Sequence, residues 1–310
     1  MNKPKLIIFL VMDTARYKSF DFDSEKINPN LNKAVSSHDF INFKKAISPA
    51  PWTIPSHMSM FTGLLPSIHK CKDYGFKVRT SIKYLPKIMK DKNYKTVGVT
   101  SNGLLNRGSN FNHGFDEYIC TWNLYQNLDE HYRIKKTIKN HGFLGFTGVI
   151  KSLYSNGFSK SLANIIYRTS FPVKKDSTVS TRRTTKLAID KIEESVQKSE
   201  PMFLFLNYMQ PHMDYNPPEP FKSKFQTKGL DSFSQSPIKF YSGQMSNEEI
   251  VHLRELYQAE LSYLDYEIGL IINKVSNLGI MDDAAIVILS DHGEHIGEHN
   301  HISHYFSLYN

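Results

Sequence analysis

The sequence predicts an α/β fold, a doubly wound and mostly parallel central sheet flanked by helices. Four short apolar runs carry the first observation: "LIIFLVM" (Leu6 to Met12), "KTVGVTS" (Lys95 to Ser101), "MFLFLNYM" (Met202 to Met209) and "AAIVILS" (Ala284 to Ser290). They are β-branched or aromatic and do not alternate with polar residues, as strands buried on both faces do. Amphipathic helical patterns lie between them. Strand and helix alternate along the chain, which favours parallel pairing through helical crossovers.

The first run is too short for a signal peptide. It leads directly into Asp13 and Arg16, and no small-residue cleavage site follows, so a buried strand fits it better. Next comes "SPAPWTIPSHMSMFTG" (Ser48 to Gly63), a proline-rich turn entering a helix at about Ser56. Ser56 read as an N-cap is the plain account; the sharper one holds out Thr53 as a nucleophile. From Thr121 to Ser180 the chain is basic and aromatic with no clear strand, an insertion of about 121–180 within one domain spanning 1–310. "TTKLAIDKIEESVQKS" then places Ala188, Ile189, Ile192 and Val196 on one helical face ahead of the third strand. "PPEPFKSKFQTKGLDSFSQSPIKF" reads as a long loop. "NEEIVHLRELYQAELSYLDYEIGLIINKVSNLG" reads as a long helix with Asn247 as N-cap and "NLG" as its end.

Composition narrows the function classes. The chain has 310 residues, 40% hydrophobic and 22% charged, with a formal net charge of +8. That excess suits an anionic substrate, an acidic membrane surface or nucleic acid. No nucleic-acid reading motif is present, so nucleic acid is not expected as a partner. "YRIKKTIKNH" and "TRRTTK" concentrate some of the charge and read as solvated faces. Cys71 and Cys120 lack a CxxC neighbour, which excludes a disulfide framework and disfavours a cysteine zinc site. No apolar run approaches the ~18 residues of a membrane helix. The reading is therefore a cytoplasmic protein without a transmembrane segment.

In open α/β sheets ligands bind beyond the carboxyl ends of the strands. Here those ends deliver Asp13, Asn102, His212, Asp291 and His292 to one edge. Acidic and imidazole groups converging from separate strands suggest a metal site. Two carboxylates and an imidazole suit Mn²⁺ or Zn²⁺ and, less well, Mg²⁺ or Ca²⁺. Thr53 then acquires a purpose, because a threonine alcohol becomes a useful nucleophile when deprotonated or metal-bound. His57, His212 and His304 are candidates for anion binding or acid–base work. Most of the histidines at 292, 295, 299, 301 and 304 read as a solvated polar loop.

Five blocks, "LIIFLVMDTAR", "SPAPWTIPSHMSMFTGLLPSIH", "FLFLNYMQPHMDYNPP", "LYQAELSYLDYEIG" and "AIVILSDHGEHIGEH", together resemble the sulfatase branch of the alkaline phosphatase superfamily. The resemblance runs from Leu6 to Asn310, with 121–180 unmatched. In that family the nucleophile sits in C/S-x-P-x-R followed by T-G; here the pattern is Thr53-Ile54-Pro55-Ser56-His57 with Thr62-Gly63. The resemblance implies Asp13, Asp291 and His292 as ligands of one divalent ion (Mn, Zn, Ca or Mg), with Thr53 as a further ligand, and admits a second ion. It implies substrate contacts for His212 and, through a family Lys or His, for His304. The family continues with another strand and a C-terminal subdomain, which this chain is expected to lack.

The departures from the family pattern are specific. Thr53 stands where formylglycine is made from Cys or Ser, so no formylglycine is expected. His57 replaces the motif arginine, Thr14 replaces the second of two aspartates, and "SNG" at Ser101 to Gly103 replaces a Lys-Trp-His stretch. These changes resemble the threonine-nucleophile members that act on phosphoesters and phosphonates. The leading expectation is a metal-dependent hydrolase or transferase of phosphate or sulfate esters. Its substrate is an anionic ester, either a small molecule or one linked to glycan or lipid. The alternatives are a sulfuric ester hydrolase without formylglycine and a catalytically degenerate binding protein.

Overall fold

The computed structural model describes residues 3–19, 26–37, 40–71, 77–78, 81–122, 177–225, 235 and 237–304. Nearly all of the expected insertion, including "YRIKKTIKNH", lies outside the described residues. Five strands form a parallel sheet in the order β3-β2-β4-β1-β5: β1 Leu6–Met12, β2 Lys95–Thr100, β3 Glu117–Cys120, β4 Met202–Tyr208 and β5 Ala284–Ser290. Four of these coincide with the apolar runs. A two-stranded antiparallel hairpin, β6 His295–Ile296 with β7 Ile302–Ser303, follows β5.

Helices cover both faces, which is why the strands are apolar throughout. Leu6, Ile8 and Leu10 of β1, with Met202, Leu204 and Leu206 of β4, join one core cluster. Helices α5 (Ser177–Lys198) and α8 (Asn247–Asn277) supply its other side through Ala188, Ile192, Leu261, Leu264 and Ile268. Phe203 and Phe205 point the other way and meet Ile54, Met58 and Phe61 of α2 (Thr53–Thr62) and Tyr84 just ahead of α4 (Leu85–Asp91). The shorter helices are α1 (Pro29–Ser37), α3 (Pro66–His69), α6 (Phe221–Phe225) and α7 (Pro237–Tyr241). α6 lies inside the stretch expected as loop, and α7 begins inside it and ends one residue beyond.

Two helix starts differ from expectation. α8 is capped by Ser246, not Asn247: its hydroxyl accepts from the Glu249 amide at 3.2 Å while Glu249 accepts from the Ser246 amide at 3.0 Å, a reciprocal capping box. α2 begins at Thr53 and not near Ser56, with Trp52 extended in front of it. Proline at the third helical position is tolerated there because first-turn amides have no intrahelical acceptor.

The "YLDYEIG" block has a docking role. Asp265 accepts from the amides of Asn30 (3.0 Å) and Leu31 (2.9 Å), capping α1 from α8. Gly269 admits α1, since a Cβ there would meet Asn30 Cβ at 2.7 Å.

Glu260 is a buried carboxyl on α8. Its Oε1 accepts from the Asn216 amide at 2.7 Å, and its Oε2 has no hydrogen-bond partner. Burial pushes it up to about 8. A folded-state value above the unfolded one gives stability that is full at acid pH and lost as pH rises to about 8. Glu260→Gln should therefore melt above the wild type near pH 8 and match it near pH 5. Equal melting curves at the higher pH would show Glu260 to be ionised without penalty.

Candidate active site

Adjacent parallel strands place the first two acidic groups together. β1 and β5 pair in register with Met12 opposite Ser290, so Asp13 and Asp291 are the next residues on neighbouring strands. The Asp13 amide donates to Tyr208 O at 2.9 Å. Thr14 takes a left-handed φ of 62°, and its amide donates to Asp291 Oδ1 at 3.1 Å. The His292 amide donates to the same oxygen at 2.9 Å. Asp291 Oδ2 is thereby left to face inward.

His292 Nδ1 lies 3.0 Å from Gly293 O, an acceptor that puts the ring proton on Nδ1. Its Nε2 then presents a lone pair 3.4 Å from Asp291 Oδ2 and 3.7 Å from Asp13 Oδ1. Asp13 Oδ1, Asp291 Oδ2 and His292 Nε2 are buried and have no hydrogen-bond partner. One ligand atom from each residue falls within 4.8 Å of the others, the one such metal-sized group among the described residues. Three buried acceptors facing one another are costly unless a cation lies between them. The titration shifts express the same strain. Burial raises both carboxyls, Asp291 well above its ordinary range with the Asp13 charge adding to it, and burial depresses His292. A divalent cation would reverse these preferences, so the donor set fits one.

Thr53 opens α2 beside this cluster and is 2% exposed. Asn102 joins the two: its Nδ2 donates to Asp13 Oδ2 at 2.5 Å and lies 3.4 Å from Thr53 Oγ1. Asn102 is aimed from the end of β2, where its amide donates to Asn207 Oδ1 at 3.1 Å and its own Oδ1 accepts from the Leu104 amide at 2.8 Å. Ser56 is no N-cap; its hydroxyl and that of Ser48 each donate to Asp291 O at 2.5 Å. Together they pin the proline-rich turn to the end of β5.

The histidines divide into two groups. His57 lies behind Thr53, fully buried, with Nδ1 2.9 Å from Thr53 O and 3.6 Å from Asp291 Oδ2. Phe61 and Phe205 meet its ring edge-on, and burial holds it down at about 4. His304 is buried beside His292, with ring centroids 4.4 Å apart, and His212 stands 5.0 Å from His304. Burial would lower His304, but the hydrogen bond and charge of Glu294 and the charge of Asp13 outweigh it and hold the imidazole above its ordinary value. Three of the five clustered histidines, 292, 295 and 304, are buried rather than solvated.

A serine–histidine pair formed by α2 and α3 is disqualified by its tautomer. Ser59 Oγ is 3.0 Å from His69 Nε2, while His69 Nδ1 accepts from the Cys71 amide at 3.0 Å. The ring proton therefore sits on Nε2 and is donated to Ser59, so His69 has no lone pair to offer as base.

A profile of the Sulfatase family matches residues 5–310. The chain belongs to the sulfatase family. The likeness read from the five sequence blocks is borne out. Iduronate 2-sulfatase of Mus musculus is 22% identical over 331 residues, covering 96% of this chain and 56% of that protein. The chain thus spans a little over half the length of this curated relative. Among solved structures, the phosphonate monoester hydrolase of Agrobacterium radiobacter shares the fold with a TM-score of 0.66 and 15% identity, covering 99% of this chain and 66% of its own. The C-terminal periplasmic domain of EcEptC from Escherichia coli, in complex with Zn, has a TM-score of 0.58 at 15% identity, covering 98% of this chain and 69% of its own. The parallel sheet with helices on both faces agrees with these folds.

Sequence reasoning missed Ser48, Asn207 and Glu294. Glu294 carried a signal, since it sits in the "SDHGEH" block that supplied Asp291 and His292. Ser48 and Asn207 act through tertiary contacts that no local pattern announces. Among the described residues no helix is long and apolar enough to cross a membrane.

Proposed function

We propose that this chain is a metal-dependent hydrolase or transferase of phosphate or sulfate esters, with Thr53 as nucleophile. The observation that carries the reading is the convergence of Asp13 Oδ1, Asp291 Oδ2 and His292 Nε2 beside Thr53 at the start of α2. A bound divalent ion would polarise the ester and lower the pKa of the threonine alcohol. The two carboxylates, imidazole and alcohol suit Zn²⁺ or Mn²⁺ better than Mg²⁺ or Ca²⁺, and the zinc complex of the EcEptC domain supports that choice. His212 and His304 would hold a second ion if one binds.

Each residue has a distinct task. Asn102 orients Thr53 against Asp13. His57 steadies the Thr53 carbonyl from behind, so the place of the family's motif arginine is taken by a positioning group and not by an anion contact. The α2 amides, at the positive end of the helix, favour an anion near Thr53. His212 and His304 face the ester from the far side. The names of the relatives, a sulfatase and a phosphonate monoester hydrolase, support both ester classes. Threonine in place of the formylglycine precursor favours the phosphorus esters.

Metal analysis of the purified protein with a panel of aryl phosphate monoesters, diesters, phosphonates and sulfates tests the reading. Turnover of a phosphorus ester with one bound ion is expected; turnover of aryl sulfate alone would shift the assignment to a sulfuric ester hydrolase. No turnover with every metal would leave a binding protein. His212→Ala and His304→Ala should each lower kcat by roughly a hundredfold, the usual effect of removing one transition-state donor. Loss of bound metal in either variant would make that histidine a ligand instead.

A further inference from the structure

We propose that Glu294 is a positioning residue that holds the His304 imidazole with a proton on Nδ1 and its Nε2 turned to the reacting ester. The inference rests on the ester-cleaving reading above.

Its basis is geometric. Glu294 leaves the turn after β5, two residues past His292, and is 1% exposed. His304 follows β7, ten residues later, and is 5% exposed. Glu294 Oε1 lies 3.1 Å from His304 Nδ1. A carboxylate oxygen only accepts, so this contact places a proton on Nδ1. With Nδ1 committed in this way, Nε2 is the nitrogen assigned to the ester. The ring stands between His292 and His212, with centroids 4.4 Å and 5.0 Å away. The β6–β7 hairpin, pairing His295 with Ser303 and Ile296 with Ile302, ties the two segments together immediately beyond Glu294 and before His304.

The arrangement resembles the outer-sphere pairing of catalytic and metal-binding histidines generally. A buried carboxylate fixes both the ring's rotation and its tautomer, and its replacement by amide misplaces the proton. Glutamine is isosteric with glutamate but can donate as well as accept. Glu294→Gln therefore permits the opposite tautomer, with the proton on Nε2. Glu294→Asp keeps the acceptor while shortening its reach.

The test reads the tautomer directly. Two-bond ¹H–¹⁵N correlation spectra of the wild-type chain should show His304 protonated at Nδ1, with its signals identified by their loss in His304→Gln. In Glu294→Gln, whose side-chain amide can donate to Nδ1, the Nδ1 proton should be lost. In steady-state turnover of the panel's best ester, Glu294→Gln should lower kcat by about a hundredfold with KM and metal content little changed, and Glu294→Asp should restore most of that loss. A wild-type His304 with Nδ1 bare would overturn the proposal, and this measurement needs no change at Glu294. So would a Glu294→Gln variant that keeps the wild-type tautomer or the wild-type kcat. If the wild type cleaves no ester, the functional reading falls, while the spectra still decide the tautomer.

Discussion

Thr53→Ala should abolish turnover while leaving the fold intact. Loss of a covalent nucleophile typically removes several orders of magnitude in kcat, on the order of 10⁴-fold or more. Little else depends on the Thr53 side chain. Trp52 precedes it as N-cap and makes no side-chain capping hydrogen bond, so no cap is lost. Asn102 keeps its bond to Asp13 when its longer contact to Thr53 disappears. Alanine at the first position of a helix is favourable. The melting temperature should therefore stay within a few degrees of wild type. Thr53→Ser keeps the alcohol and should retain a measurable fraction of activity. Digestion of wild-type protein quenched during turnover should yield a peptide containing Thr53 that carries the transferred group. Near-native activity in Thr53→Ala would transfer the nucleophilic role to water and end the covalent reading.

The parts of the fold that were legible are those for which one segment carries the whole signal. β1, β2, β4 and β5 are apolar on both faces because helices cover both faces, and an unbroken apolar run reports that directly. β3 escaped because "EYIC" is four residues at the sheet edge, with Glu117 in ion pairs to Lys95 and Lys191. β6 and β7 are two residues each, too short for any periodicity. α2 starts at Thr53, ahead of the Ser56 entry expected after the proline-rich turn, because proline in a first turn displaces no intrahelical bond. At the site, Asp13, Asp291 and His292 could be read because strand ends point to one edge in this architecture. Residue type alone did not show that His57 lies behind Thr53. Its burial between Phe61 and Phe205 is a consequence of how α2 packs on β4. Glu294 and Ser56 act through contacts between separate turns, and such contacts leave no periodic trace.

The second large effect is expected at Asp291. Asp291→Asn should eliminate metal binding and turnover yet make the metal-free protein more stable. An asparagine oxygen in the place of Oδ1 can still accept from the amides of Thr14 and His292. Its NH₂ group then occupies the place of Oδ2, facing Asp13 Oδ1 and His292 Nε2, both acceptors without a hydrogen-bond partner. One change supplies the missing donor and removes a buried charge from beside Asp13. The pH dependence follows with a definite sign. Burial and the Asp13 charge raise Asp291 in the fold well above its ordinary range. The metal-free wild type is therefore favoured at acid pH and loses stability as pH rises from the ordinary carboxylate range through the raised value. In Asp291→Asn that loss should be reduced, so its melting temperature in chelator should exceed that of the wild type near neutral pH. Added Zn²⁺ or Mn²⁺ should reverse the ranking. An ion at a hundred times its Kd stabilises the wild type by about 2.7 kcal/mol, roughly 5–10 °C for a domain of this size, and leaves the variant where it was. A variant that still gains stability from the ion would show that Asp13, His292 and Thr53 suffice to hold it. A variant less stable than wild type in chelator would mean that the three acceptors are already satisfied by protons, and that the pressure for a cation inferred from their geometry does not exist.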